Sequence, residues 1–73
     1  MFILIERVDY EGSSFLGAFA TLEAAIAASR VEGSSFKSES LSDHWRQPAG
    51  TTALWCARKP GHDVTYSIWA VAV

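Results

Sequence analysis

Only one stretch of this chain, Thr21 to Arg30, has the composition of a helix, and apolar segments that alternate or turn lie on both sides of it. A chain with one short helix among several such segments has few folds open to it, because the helix must bury its stripe against a sheet. The helix has a start. Thr21 can cap the N–H groups of the first turn, and Glu23 sets negative charge at the positive end of the dipole. The capping box is incomplete, since Ala24 stands where Glu or Gln would complete it. Alanine supplies the highest intrinsic helix propensity. Gly33 is placed for a left-handed C-terminal cap, which predicts a helix of about 11 residues, roughly 16 Å long.

Leu22, Ala25, Ile26 and Ser29 recur at the spacing of a buried stripe. Ala24, Ala27, Ala28 and Val31 on the other side are also uncharged. Two readings follow: small alanines tolerated in water, or a second apolar face that meets a partner or another copy.

The alternation predicts strands at Met1 to Val8, Ser14 to Ala20, Thr51 to Arg58 and Val64 to Val73. In the first, Phe2, Leu4, Glu6 and Val8 oppose Ile3, Ile5 and Arg7. In the second, Phe15, Gly17 and Phe19 oppose Leu16, Ala18 and Ala20, and Gly17 signals a bulge or a close approach by the helix. Ala53, Trp55 and Ala57 oppose Thr52, Leu54 and Cys56 in the third. Val64, Tyr66 and Ile68 oppose Thr65, Ser67, Trp69, Val71 and Val73 in the fourth. Asp9 to Ser13 supplies turn residues for a hairpin between the first two strands, and Lys59-Pro60-Gly61-His62 suits a type II turn. The serine-rich run from Ser34 to Ser42 reads as a polar edge strand or a solvated loop, and Asp43 to Gly50 as a loop. The expected fold is α+β: one antiparallel sheet of four or five strands with one helix on one face, in the order β-β-α-(β)-β-β.

Large residues fall on both faces of that sheet, and one helix covers only one of them. A 73-residue chain that is 49% hydrophobic makes a single domain near the lower limit for a self-sufficient core. At ~25 cal/mol per Å2, a few hundred Å2 of leftover apolar surface favours association, so a homodimer or capture of another protein is expected.

Site chemistry is sparse. Cys56, His44, His62, Asp43 and Asp63 are the reactive side chains, and they form no nucleophile motif or paired metal-ligand spacing. The reading is therefore non-enzymatic, without metal or cofactor. A lone cysteine fits a reducing compartment. Phe2 to Ile5 and Ile68 to Val73 are too short for a signal peptide or a membrane span, so a cytoplasmic protein with no membrane partner is expected. A net charge of −2 from scattered residues argues against a dedicated nucleic-acid binder. Trp45 in a polar loop has the character of an interface tryptophan. Trp45 with Arg46, and Trp55 with Arg58 and Lys59, bring aromatics next to cations and carry the alternative reading of a weak nucleic-acid binder.

Ile3-Leu4-Ile5-Glu6-Arg7-Val8, a glycine-serine turn, and the junction Gly17-Ala18-Phe19-Ala20-Thr21-Leu22-Glu23-Ala24-Ala25 resemble the G-x-F-x-(S/T)-x-E-x-A strand-to-helix passage of small β-β-α-led phage and bacterial proteins. Some small anti-CRISPR proteins share this element order. The resemblance spans about residues 2–30 in pattern and the remainder only in topology, and it transfers no functional residue. It implies small cytosolic inhibitors that occlude a larger partner. On that reading a protein partner, such as a nucleic-acid-handling complex with a basic groove, would meet Trp45, Arg46, Glu6, Asp9, Glu11 and Asp43, with Glu32 and Glu39 as further acidic candidates.

Overall fold

The computed structural model describes residues 1–41, 49–59 and 61–72. They form β1 (Phe2–Val8), β2 (Gly12–Phe19), α1 (Leu22–Ser29), a 3-10 turn at Gly33–Ser35, β3 (Lys37–Glu39), β4 (Thr51–Arg58) and β5 (Val64–Val71). The strands make one antiparallel sheet in the order β2-β1-β5-β4-β3. The fold is α+β as expected, and of the two readings of the serine-rich run the edge strand is present, over the three residues Lys37–Glu39.

The helix starts where the sequence places it: Thr21 Oγ1 accepts the Ala24 N–H at 3.1 Å. It ends earlier than Gly33. Ser29, 4% exposed, donates its hydroxyl to the Ile26 carbonyl at 2.6 Å and accepts the Val31 N–H at 3.2 Å. Those bonds turn the chain out of the helix, and Arg30 takes the left-handed cap at φ 62. Gly33 instead opens the 3-10 turn.

Leu4 and Ile68, both fully buried, sit directly opposite each other on β1 and β5 beneath Ala25 of the helix. Ala25 is small enough for the helix axis to come close to the strands, and Leu22, Ile26, Val31 and Phe36 close the sides. On the same face the small Ala70 of β5 stands between β1 and β4, and the Phe2 and Trp55 rings meet at 6.0 Å between centroids.

The register corrects one expectation. Phe15 pairs with Ile5 and Gly17 with Leu4, so Leu16 is an extra residue in β2. The bulge anticipated at Gly17 is present. Its effect is to rotate Phe15 away from Gly17 and Phe19 and onto the side of Ala18, because one inserted residue reverses the pleat. The close neighbour of Gly17 is the Phe19 ring rather than the helix.

The face away from the helix is not evenly bare. Ile3, Trp69 and Leu54 lie side by side across β1, β5 and β4, and Leu54 and Trp69 are buried. Large side chains laid abreast on adjacent strands shield one another. Among the described residues the exposure of large apolar side chains is concentrated on the β1–β2 half.

Candidate functional site

The β1–β2 hairpin and the residue before it carry the large exposed apolar side chains of the described residues. Among the described residues the large hydrophobics left open to solvent are Met1, Tyr10, Phe15 and Leu16. Ile3 and Ile5 lie half-buried beside Phe15 and Ala18 on the same face. At the hairpin tip the Glu11 N–H donates to the Val8 carbonyl at 3.0 Å. Tyr10 occupies the turn with φ 68, a left-handed conformation costing a tyrosine about 1 kcal/mol or more. Its side chain is fully exposed, so no packing within the described chain offsets that strain.

The acidic candidates are divided by the fold. Glu11 is exposed at the tip. Asp9 is drawn to the neighbouring hairpin: its N–H donates to the Asp63 carbonyl at 2.9 Å, and Arg58 Nη2 lies 3.5 Å from Asp9 Oδ2 and 3.1 Å from Asp63 Oδ1. These exposed pairs add little stability, but they place the guanidinium between two carboxylates. Glu6 is turned toward the helix side, where its carboxylate accepts the Tyr66 hydroxyl at 2.8 Å. Asp43, His44, Trp45 and Arg46 lie outside the described residues. Glu32 and Glu39 are exposed; Glu39 lies on β3, at the edge of the sheet opposite the hairpin, and Glu32 in the link between the helix and the 3-10 turn.

Of the cation–aromatic candidates, Lys59 is exposed, Arg58 is held by Asp9 and Asp63, and Trp55 packs against Phe2 on the core side. Cys56 lies half-buried in β4. Burial, and secondarily Glu39, push its thiol up to about 11 although Arg7 pulls the other way, so it is protonated and a poor nucleophile at neutral pH. His62 donates its N–H to the Lys59 carbonyl at 3.2 Å with Gly61 at φ 76, closing the expected turn. No group of three His, Cys, Asp or Glu side chains among the described residues is arranged to hold a metal ion. No helix among them is long and apolar enough to cross a membrane.

Tyr66 gives this region a pH signature. The hydrogen bond to Glu6, then burial, raise the phenol above its ordinary value of 10.0. A raised folded value means the native state holds the proton more tightly than the unfolded chain. The associated stability is therefore complete below pH 10 and lost as pH rises through the folded value. Urea midpoints measured from pH 7 to 11 should stay level to about pH 9 and then fall. Tyr66→Phe should lower the midpoint at pH 7 and flatten the alkaline fall. An equal fall in both proteins would assign the effect to other groups.

Tyr10, Phe15 and Leu16 are not singled out by sequence patterning as contact residues. Two local signals point to them. Two large apolar residues adjoin between Ser14 and Gly17, where strict alternation would place one, and an aromatic stands in a four-residue turn that has no inward side. No protein-family model, curated protein or solved structure matches the chain.

Proposed function

We propose that this chain is a small, non-enzymatic protein-binding module of the cytoplasm, a homodimer that acts by occluding a larger protein complex in the manner of the phage-type and anti-CRISPR inhibitors it resembles. The observation that carries this reading is the placement of the large hydrophobics exposed among the described residues: Tyr10, Phe15 and Leu16 on the β1–β2 hairpin and Met1 just before it, with Tyr10 held in a strained turn at the tip. Strain retained at a fully exposed aromatic fits a contact residue better than a structural one. Glu11 beside it, and the chain's mild negative charge, suit a partner with a basic rim such as a nucleic-acid-handling complex. The tethering of Arg58 and the inward packing of Trp55 weigh against direct nucleic-acid binding through Trp45, Arg46, Arg58 and Lys59.

Tyr10→Asn separates function from stability, because asparagine tolerates the left-handed region. The variant should be more stable by about 0.5–1 kcal/mol while losing most capture of its partner in affinity purification from host lysate. Undiminished capture would remove Tyr10 from the interface. Salt-sensitive binding of a labelled oligonucleotide, lost in Arg58→Ala and Lys59→Ala, would instead favour the nucleic-acid reading.

A further inference from the structure

The two edges of the sheet are unlike. β3 is three residues long and carries Lys37 and Glu39, a short charged edge of the kind that discourages strand addition. β2 is eight residues long, Gly12-Ser13-Ser14-Phe15-Leu16-Gly17-Ala18-Phe19, has no charged residue, and exposes both Phe15 and Leu16. Its neighbour on one side is β1, and among the described residues no strand lies on the other. A bulge such as that at Leu16 ordinarily turns an edge away from pairing, but an edge of this length without charge is a template for a strand whose register matches the bulge.

The bulge says which strand. Gly12, Ser14, Gly17 and Phe19 pair with Val8, Glu6, Leu4 and Phe2 on the helix side, whereas Ser13, Phe15 and Ala18 pair with Arg7, Ile5 and Ile3 on the other. Outside the central Phe15-Leu16 pair, the order of faces is the same read from either end. A two-fold axis perpendicular to the sheet leaves each face on its own side, so an antiparallel self-pair must match residues of the same face. A regularly alternating eight-residue strand paired about its centre would fail that test, since its first and last residues point opposite ways. Here the extra residue repairs the mismatch. Centred on Phe15-Leu16, Gly12 meets Phe19 of the second copy, Ser13 meets Ala18, Ser14 meets Gly17, and Phe15 meets Leu16. Glu11 then falls opposite Ala20, so no carboxylate is brought against its own image. A foreign peptide would gain nothing from this symmetry, which matches only a second copy of the same strand.

We infer that β2 is the self-association edge, pairing antiparallel with β2 of a second copy about a two-fold axis to give one continuous ten-stranded sheet. The inference rests on the homodimer reading above and adds its surface and register. It leaves Tyr10 and Glu11, at the hairpin tips, for a different protein.

The test uses the full chain. Sedimentation over a concentration series should show a mass rising from 8.0 kDa toward twice that value. Leu16→Lys, which sets two cations beside the axis, should remain at the monomer mass with an unchanged far-UV spectrum. In a Cys56→Ser background, Ser13→Cys combined with Ala18→Cys should cross-link under mild oxidation to a covalent dimer. Directly opposed Cβ atoms lie about 5 Å apart, whereas the same two positions within one chain are about 16 Å apart. Ser13→Cys alone should not cross-link. A monomer at all concentrations, or a dimer that survives Leu16→Lys and resists the paired-cysteine cross-link, overturns the inference. A monomer that still captures a partner through Tyr10 overturns self-pairing alone. A cross-linked dimer that captures nothing leaves the pairing intact and removes the binding-module reading.

Discussion

Leu4→Ala should lower the unfolding free energy by about 2–5 kcal/mol, the cost of emptying a fully buried leucine site that cannot collapse. Leu4 is 0% exposed and packed among Ile68, Tyr66 and Ala25. All but Ala25 belong to strands fixed by ladders on both sides, so the surrounding backbone has little freedom to close the void. A 73-residue domain has roughly 4–11 kcal/mol of stability in total, so this one change should remove a large part of it. Urea titration followed by far-UV circular dichroism reads the loss directly. Ile3→Ala is the control, one residue away on the half-buried outer face, and should cost clearly less. Equal losses would mean the outer face is as much a core as the inner one.

Gly17→Ala should cost about 1–3 kcal/mol although it adds a single methyl group to a surface strand. The backbone there has φ 157, where a side chain is strained, and the new Cβ would lie 3.2 Å from Cε2 and Cζ of Phe19. That ring packs against the core beneath the helix, so it can give way only by disturbing its contacts. The expected shift in melting temperature is about 4–8 °C for each kcal/mol in a domain of this size. An unchanged melting temperature would show that the strand accommodates a side chain at 17. The same variant bears on assembly, because the bulge beside Gly17 sets which way Phe15 points.

The strands of β1, β4 and β5 were legible because each alternates along most of its length: β1 and β5 keep the faces the alternation assigns, and β4 does so from Ala53 onward, a second register shift falling between Thr51 and Ala53. The cap at Thr21 was legible for a similar reason: it depends on residues three apart in the chain. The helix end was not. Gly33 is the better left-handed residue in isolation, but Ser29 reaches backbone groups at Ile26 and Val31 first, and the geometry of those bonds is a property of the folded turn. Simple alternation puts Phe15 on the wrong face because a bulge shifts the pleat by one residue, and glycine marks that a bulge is near without saying which neighbour is extra.

The candidate site divides along the same line. Surplus apolar surface follows from composition and from having one helix for two faces. Where that surplus lies depends on strand order, which sequence patterning leaves open: β5 inserts between β1 and β4, Trp69 comes to lie between Ile3 and Leu54, and the apolar exposure is left with β2 at the edge. Sequence alone determined the elements, because alternation and capping act between near neighbours. Tertiary structure alone decided that Glu6 turns to Tyr66, that Arg58 is held by two aspartates, and that one edge is long and uncharged, because each joins residues distant in the chain or depends on the final order of strands.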